Sequence, residues 1–184
     1  KLCRMGMKAG GNTISLKESL EHAQVYLEVI NFRHQEKISF LTDVGETAET
    51  CYVQQFMLQP ILENAVVHGF NDASKGYAVQ ISANVQGEVL HIQVKDNGTG
   101  MTKENLEKLQ NYIQGAADPE NSIGIVNVNQ RIRLFYGEAY GIQIRSRQQM
   151  GTEVEIILPV KMQSENMKKL GEEVEEDVSG VERR

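Results

Sequence analysis

Residues 94–101 read VKDNGTGM, where a run of alternating apolar residues stops at a carboxylate followed by two glycines. Alternation over 77–85 and again over 90–94, with a Gln86-Gly87 turn between them, predicts a β-hairpin whose second strand ends at Asp96. Alone, an Asn-Gly pair at a strand end is an ordinary turn signal. The alternative is a buried carboxylate that accepts a hydrogen bond, beside glycines that let the chain pass close to a flat ligand.

Helices and further strands surround this hairpin in the sequence. Apolar residues spaced by three or four predict helices, and alternating residues predict strands. The predicted helices span 15–32, 56–67, 102–113 and 125–135, and the further strands span 38–42, 140–147 and 152–158. Residues 45–50 and 114–121 are predicted loops, the second of them mobile. This order predicts an α+β fold in two layers, with a mixed, mostly antiparallel sheet covered on one face by helices.

Composition narrows the functional classes. The 184 residues suffice for one core domain, and no apolar run approaches the roughly 20 residues that a membrane-spanning helix needs. The net charge of −6 argues against a nucleic-acid partner, because phosphate backbones are usually met by a basic surface. Two cysteines and the lack of a secretory signal favour a reducing, cytoplasmic setting.

Residues 58–69 read LQPILENAVVHG and predict a helix with a polar face. Asn64 and His68 are four residues apart, so they share one side of an α-helix, while leucine and isoleucine supply the buried stripe. An Asn inside a helix is locally disfavoured, because its amide competes for backbone groups. The segment is therefore either a core helix with a capping His or a helix that presents Asn64 to a ligand.

Two further segments have small residues where a ligand could approach the backbone. Residues 121–127 read NSIGIVN and run into a helix, whose free amides and dipole would suit a phosphate, although a plain helix start is equally allowed. Gly151-Thr152 enters the final strand and alone is only a turn.

In this order, the four segments resemble the N, G1 and G2 boxes and the closing Gly-Thr strand of the GHKL, or Bergerat, ATP-binding fold. Within that superfamily, LQPILENAVVHG, SIGIVNVNQRIRLFYG and the preceding YLEVINFR are similar to bacterial sensor histidine kinases of the YesM/LytS type. The resemblance covers Ser15 to Pro159. It implies a two-layer α/β sandwich that binds ATP and Mg²⁺.

The resemblance assigns the adenine end of the site to the residues around the opening stretch. Asp96 would accept the adenine amino group, and Thr152 would join the same end through water. Gly98 and Gly100 would keep the wall beside the adenine thin, and Met101 would pack on the ring.

The resemblance assigns the phosphate end to the two helices. Asn64 would hold the Mg²⁺ that bridges the phosphates, with His68 nearby, and residues 102–123 would form the ATP lid. Phosphate oxygens would meet the amides at the start of the last helix, and Arg131 would offset phosphate charge. The residues implied there are Ser122, Ile123, Gly124, Ile125 and Asn127.

The catalytic residues implied are Glu63, Asn64 and Arg131. Relatives that hydrolyse ATP place a Glu four residues before the Mg²⁺ Asn, but here that position is Pro60. Glu63 points about 100° away from Asn64 around the helix, so it cannot inherit that role; an acid here would instead help an acceptor His. A kinase needs no water-activating base, because its catalysis is mostly positioning and charge neutralisation.

Three positions depart from the family pattern. Val67 stands where a Lys often reaches the phosphates, Ser122 where the first Gly of the G2 box is expected, and Val126 where an Arg is common. The first and third departures remove positive charge from the phosphate end. They keep open a degenerate signalling module that binds nucleotide without transfer. A GHKL ATPase or an anti-sigma-type Ser kinase is the other alternative.

We therefore expect the ATP-binding catalytic domain of a two-component sensor histidine kinase. It would transfer the ATP γ-phosphoryl group to a His on a dimerisation domain, and from there to a response-regulator Asp. No Asn-Pro-His-Phe acceptor segment precedes Ser15, so we expect this chain alone to bind ATP without autophosphorylation.

The expected organisation has three parts. Residues 1–14 would be a flexible remnant of the linker from the dimerisation region, 15–162 the catalytic domain and 163–184 an acidic, disordered tail. The expected partners are ATP, the acceptor-His domain of the same parent protein and a response regulator, without nucleic acid. We expect the chain to be a monomeric cytoplasmic domain and the parent a homodimer in the cell membrane.

Overall fold

A computed structural model describes residues 13–34, 38–69, 76–116 and 124–162. The strands are β1 (Thr13–Ser15), β2 (Ile38–Val44), β3 (Tyr52–Gln54), β4 (Tyr77–Gln86), β5 (Val89–Asp96), β6 (Gly141–Ser146) and β7 (Thr152–Pro159). The helices are α1 (Leu16–His34), α2 (Glu46–Glu49), α3 (Gln59–Asn64), α4 (Lys103–Ile113) and α5 (Gly124–Tyr136). A π-helical turn, Ala65–Gly69, follows α3 directly.

Five of the strands form one mixed sheet in the order β2-β4-β5-β7-β6. Strands β2 and β4 are parallel, and the other neighbours are antiparallel. The short strands β1 and β3 pair separately, also antiparallel. The sheet register places the end of β5 beside the start of β7, with Lys95 opposite Glu153. The predicted fold class, a mixed and mostly antiparallel sheet with helices, is confirmed.

The core lies between one face of this sheet and the helices. Alternate residues of the strands point into it, as the two-residue period of a strand requires. Its fully buried members include Leu27, Leu62, Ile81, Ile92, Ile132 and Ile156. On the other face most side chains are polar, and His91 Nδ1 lies 3.1 Å from Glu155 Oε1. None of the helices within the described residues is long and apolar enough to cross a membrane.

The helix ends follow the sequence signals closely. The Ser15 hydroxyl accepts a hydrogen bond of 3.1 Å from the Glu18 N–H at the start of α1. Thr102 does the same for Asn105 at the start of α4, at 3.3 Å. Gly137, with φ of 102°, follows the end of α5. Side-chain caps and a left-handed glycine satisfy backbone groups that a helix end leaves open.

Three expectations about the N-terminal half are wrong. Residues Thr13 and Ile14, expected in the flexible linker, pair with β3 and so belong to the fold. The predicted loop at 45–50 contains the single-turn helix α2. The helix expected from Phe56 begins at Gln59, because Phe56 has a φ of 59° that no α-helix contains. The tail 163–184 and most of the predicted loop at 114–121 lie outside the described residues.

The polar side chains of Asn129 and Gln110 join α4 and α5 to the edge strand β6. Asn129 of α5 donates from Nδ2 to the Ile113 carbonyl at the end of α4, at 2.9 Å, and its Oδ1 accepts from Ile142 N–H, at 2.8 Å. Gln110 of α4 donates to the Ile144 carbonyl at 3.1 Å. The two side chains thereby satisfy backbone groups that point away from β7, and they fix α4 against the sheet.

Candidate functional site

A cavity of about 590 Å³ lies between α3, α4 and the sheet. The end of β5 and the start of β7 form its inner end, and α3 and α4 form two of its walls. It is lined by Ile61, Asn64, Ala65, Gly69, Val94, Asp96, Thr99, Gly100, Met101, Thr102, Asn105, Lys108, Leu109, Tyr112, Ile125, Ile144, Gln148, Gln149, Thr152 and Val154. The lining is mostly apolar with a few polar groups, which is typical of a small-molecule site.

Asp96 is the buried carboxylate of this cavity, with 8% of its surface exposed. Its Oδ1 accepts hydrogen bonds from the N–H groups of Gly98, at 2.8 Å, and Thr152, at 3.2 Å. Burial raises the pKa of Asp96, and these two bonds offset part of the rise. Among the described residues both bonds reach Oδ1, so Oδ2 keeps its acceptor capacity for a group inside the cavity.

The glycines of the opening stretch let backbone segments touch. A Cβ on Gly98 would lie 2.6 Å from the Gly69 carbonyl oxygen, and Gly98 does not line the cavity. A Cβ on Gly100, whose φ is 62°, would lie 2.1 Å from the Arg147 oxygen. Gly151, with φ of 85°, is packed in the same way against Asp96. The backbone of Gly98 therefore packs against the π-helical turn, and its expected role beside a ligand stays a prediction.

A hydroxyl pair fixes Thr152 and Met101 at the inner end of the cavity. Ser146 Oγ donates to the Gly151 carbonyl at 2.9 Å and accepts from the Met101 N–H at 2.9 Å. Because the single hydroxyl hydrogen of Ser146 is used in this way, Thr152 Oγ1 is the donor in their 3.0 Å contact. Thr152 Oγ1 is then left with acceptor capacity for water or a ligand.

Asn64 is the last residue of α3, and its half-buried side chain lines the cavity. Within the described part of the chain its amide makes no hydrogen bond. The π-helical turn that begins at Ala65 is an uncommon geometry that occurs frequently at functional sites. His68 lies in this turn, and its side chain is outside the description.

Glu63 faces away from the cavity, as the helical period predicts. Its Oε1 accepts a hydrogen bond from Gln59 Nε2 at 2.9 Å. Burial raises the pKa of Tyr26 in α1, and the charge of Glu63 adds to the rise. Glu63 therefore lies on the α1 side of α3. Pro60, four residues before Asn64, is in the first turn of α3, and its Cβ lies 3.2 Å from the position of a Cβ on Gly124.

The start of α5 approaches the cavity with one of its predicted residues. Ile125 lines the cavity, Gly124 packs on α3, and the Asn127 side chain is exposed. Arg131 does not line the cavity, and its Nε and Nη2 are buried with no hydrogen-bond partner among the described residues. Ser122 and Ile123 lie outside the described residues.

Two of the departures from the family pattern have different surroundings. Val126 is 1% exposed, so its side chain belongs to the core and no solvent-facing cation is missing there. Val67 is 63% exposed, so a cation at this position could have faced solvent or a ligand.

The structure therefore brings six predicted residues together around one cavity. They are Asn64, Asp96, Gly100, Met101, Ile125 and Thr152. The sequence predicts the helix after Met101 only as part of a lid, and its individual residues were not predicted to line the site. The side chains that α4 contributes are Asn105, Lys108, Leu109 and Tyr112. Their spacing of three and four on an amphipathic helix was the available signal.

The chain belongs to the family of histidine kinase-, DNA gyrase B- and HSP90-like ATPases, which matches residues 54–162. That segment is more than half of the chain, and it contains the cavity. The assignment to the GHKL superfamily is therefore confirmed. The domain is an ATPase catalytic domain of the kind found in sensor histidine kinases.

Curated relatives are of the predicted YesM/LytS type. Sensor histidine kinase YesM of Bacillus subtilis is 28% identical over 160 residues, covering 87% of this chain and 26% of YesM. Sensor protein LytS of Bacillus cereus is 29% identical over 152 residues, covering 83% of this chain and 26% of LytS. The chain thus spans about a quarter of the length of these relatives.

A solved structure shares the fold at low sequence identity. The catalytic domain of histidine kinase ThkA superposes with a TM-score of 0.61 and 14% identity, covering 82% of this chain and 96% of that domain. The likeness supports the two-layer α/β sandwich.

Gly98→Ala tests the backbone contact behind Asp96. The added Cβ would lie 2.6–2.8 Å from three backbone atoms of Gly69, so we expect the free energy of unfolding to fall by about 2 kcal/mol. Gly76→Ala is the matched control, because nothing lies within 4 Å of a Cβ there. Urea denaturation measures both. Equal stability of the two variants would contradict the close contact.

Asp96→Asn tests the cost of the buried charge. The pKa of Asp96 is raised above 3.8 in the folded protein, so folding favours the protonated form. The stability that this proton binding contributes is complete below pH 3.8 and is lost as the pH rises through the raised pKa. The free energy of unfolding of Asp96→Asn relative to the parent should therefore grow as the pH rises through that window. Urea denaturation at several pH values checks this, and a difference that stays flat or shrinks would refute it.

Proposed function

We propose that this chain is the ATP-binding catalytic domain of a two-component sensor histidine kinase. It moves the γ-phosphoryl group of Mg·ATP to a His on a dimerisation domain, from which a response-regulator Asp receives it. The observation that carries the proposal is the buried Asp96, whose Oδ2 retains acceptor capacity in a cavity that Asn64 lines from the facing helix.

Hydrogen-bond complementarity assigns the adenine end of the site to Asp96 and Thr152. Asp96 Oδ2 accepts the adenine amino group, and Thr152 Oγ1 accepts from a water beside it. Guanine carries a carbonyl oxygen where adenine carries this amino group. That oxygen would face the Asp96 carboxylate, and two opposed acceptors in a buried site cost free energy. Gly100 and Met101 line the same end, and Met101 packs on the ring. The cavity thus selects adenine over guanine.

Asn64 defines the phosphate end of the site in this proposal. Its amide has no protein partner among the described residues, and its oxygen is a hard ligand that suits Mg²⁺. Mg²⁺ usually keeps several waters and binds through one or two protein groups plus substrate phosphates, so a single amide fits it. Bound Mg²⁺ would neutralise phosphate charge. The described residues hold no cluster of three or more His, Cys, Asp or Glu side chains as an alternative site.

The N-terminus of α5 provides the second group of phosphate contacts in this proposal. The backbone amides of Gly124 and Ile125, preceded by Ser122 and Ile123, receive phosphate oxygens at the positive end of the helix dipole. Asn127 adds a polar side chain on the same helix. Arg131 adds positive charge at longer range, and the resemblance assigns His68 to the same end of the site.

The transfer step needs positioning more than acid-base chemistry. The imidazole nitrogen of the acceptor His attacks the γ-phosphorus, the bond from that phosphorus to the β,γ-bridging oxygen breaks, and ADP leaves. No group here has to activate water, which agrees with Pro60 at the start of α3. Glu63, on the outer side of α3, helps to hold the incoming acceptor His. In this proposal the acceptor His belongs to the dimerisation domain, so the chain alone binds ATP without phosphorylating itself.

The proposal also assigns the partners and the location of the parent protein. The acceptor domain belongs to the same parent, which acts as a homodimer in the cell membrane. The chain itself is a monomeric cytoplasmic domain without nucleic-acid partners, and the response regulator receives the phosphoryl group.

Nucleotide binding is the first test. Asp96→Asn replaces the Oδ2 acceptor with an amide donor that opposes the adenine amino group. We expect the Kd for Mg·ATP to rise at least about tenfold, because a buried hydrogen bond is replaced by two opposed donors. Isothermal titration calorimetry measures the change, with Asp43→Asn on an exposed position of β2 as the control. Parent protein that does not bind millimolar ATP, or an Asp96→Asn variant that binds equally well, would refute the site.

Transfer is the second test and separates the kinase from the non-transferring module. Labelled Mg·ATP, this chain and a separately made acceptor-helix segment from a YesM-type kinase should yield acid-labile phosphate on His. Asn64→Ala should abolish the label in Mg²⁺, while adenosine binding by the same variant stays within about twofold, because Asn64 contacts only the metal and phosphates. Tight ATP binding by the parent without any label would favour the degenerate module.

A further inference from the structure

We propose that Lys108 of α4 binds the polyphosphate of the nucleotide and supplies the positive charge that Val67 does not. This inference rests on the proposed function, because it needs ATP in the cavity. It assigns a direct contact to a residue of the helix that the sequence resemblance treats only as part of a lid.

Lys108 belongs to the face of α4 that forms a cavity wall. Asn105, Lys108, Leu109 and Tyr112 all line the cavity, and their spacing places them on one side of an α-helix. Leu109 is 8% exposed, so α4 is held against the core at this turn. Gln110 and Asn129 fix the same helix to β6. The Lys108 side chain therefore extends from a fixed backbone, with 59% of its surface in solvent.

The distribution of charge around the cavity favours an anionic group of a ligand near Lys108. Within the described residues that line it, Asp96 and Lys108 carry the formal charges at neutral pH. Helix α4 begins beside Met101, at the Asp96 end, and runs away from it. Lys108 is about 9 Å further along the helix axis than Thr102, since each residue adds 1.5 Å. The negative Asp96 and the positive Lys108 thus lie apart along the wall of the cavity that α4 forms.

Glu104 holds Lys108 when no phosphate is present. Lys108 Nζ lies 2.9 Å from Glu104 Oε1, one helical turn away, and both side chains are mostly exposed. An exposed ion pair of this kind contributes little to stability. A phosphate carries more negative charge than one carboxylate, and the Lys108 ammonium can reach it because its four-carbon stem is flexible and its three donors rotate.

Lys103 provides a matched comparison on the same helix. It also pairs with a Glu four residues away, Glu107, but at 3.7 Å and with 91% of its side chain exposed. Lys103 does not line the cavity. Substituting Lys103 therefore changes the net charge of α4 but not the charge inside the cavity, whereas substituting Lys108 changes both.

The experiment compares Lys108→Gln and Lys103→Gln with ATP and with adenosine, which keeps the base but lacks phosphate. Kd values are measured by competition against a fluorescent ATP analogue in Mg²⁺. We expect Lys108→Gln to raise the Kd of ATP about tenfold and to leave that of adenosine within about twofold, since one charge-assisted hydrogen bond is lost. Lys103→Gln should change neither, Lys108→Arg should retain ATP binding, and Glu104→Gln should leave it equal or tighten it up to about twofold.

Three outcomes would overturn the inference. Equal weakening of ATP and adenosine by Lys108→Gln would show that the substitution moves α4. ATP affinity that is unchanged in Lys108→Gln, or equally reduced in Lys103→Gln, would remove the phosphate contact while leaving the proposed ATP site intact. Parent protein that binds neither ATP nor adenosine would instead refute the proposed function itself, and the inference with it.

Discussion

The hydrogen bonds from the Gly98 and Thr152 amides to Asp96 Oδ1 are the interaction on which the site depends. They join the end of β5 to the start of β7 through one carboxylate atom, so the central antiparallel pair and the ligand end of the cavity share an anchor. Burying a carboxylate is costly, and the two amides offset part of that cost. Because both bonds reach Oδ1, the second carboxylate oxygen stays available to a group in the cavity.

Backbone contact, more than side-chain packing, builds the wall behind that carboxylate. The end of the π-helical turn, the loop after Asp96 and the turn between β6 and β7 lie in successive layers. Gly98 and Gly100 allow two of these contacts, and Gly151 allows the third. Layers this close leave no space for Cβ atoms. Backbone hydrogen bonds also join them: the Thr99 N–H donates to the Gly69 carbonyl at 2.8 Å, and the Thr99 carbonyl accepts from the Gln149 N–H at 2.6 Å. Any change at one glycine therefore reaches the residues that hold Asp96.

Periodic patterns in the sequence predicted the long elements and failed for the short ones. The alternation of β4 and β5 and the caps at Ser15 and Thr102 gave the hairpin and the helix starts. Strands of three residues, such as β1 and β3, are too short for alternation to be recognised. The π-helical turn also has no sequence pattern of its own, and its last residue, Gly69, packs against Gly98.

The residues of the candidate site also fall into two groups. Some were predictable from the local sequence, and the roles of the others depend on the tertiary structure. Asp96 and Asn64 were predictable because a carboxylate at a strand end and an Asn within a helix are locally unusual. The packing role of Gly98 was not, since it depends on a segment almost 30 residues away in sequence. The burial of Val126 and the absence of Arg131 from the lining depend on how α5 packs on its neighbours. Conclusions about charge near a ligand thus require the tertiary structure.

The side-chain contacts to β6 also have a consequence for solubility. Strand β6 ends the five-stranded sheet, and an unpaired sheet edge invites another chain to add a strand. Asn129 and Gln110 occupy the outward amide of Ile142 and the outward carbonyl of Ile144, in the middle of that edge. Helices α4 and α5 thereby protect this edge from pairing with a strand of another chain. Helix α4 thus has two roles, because it also forms a wall of the cavity.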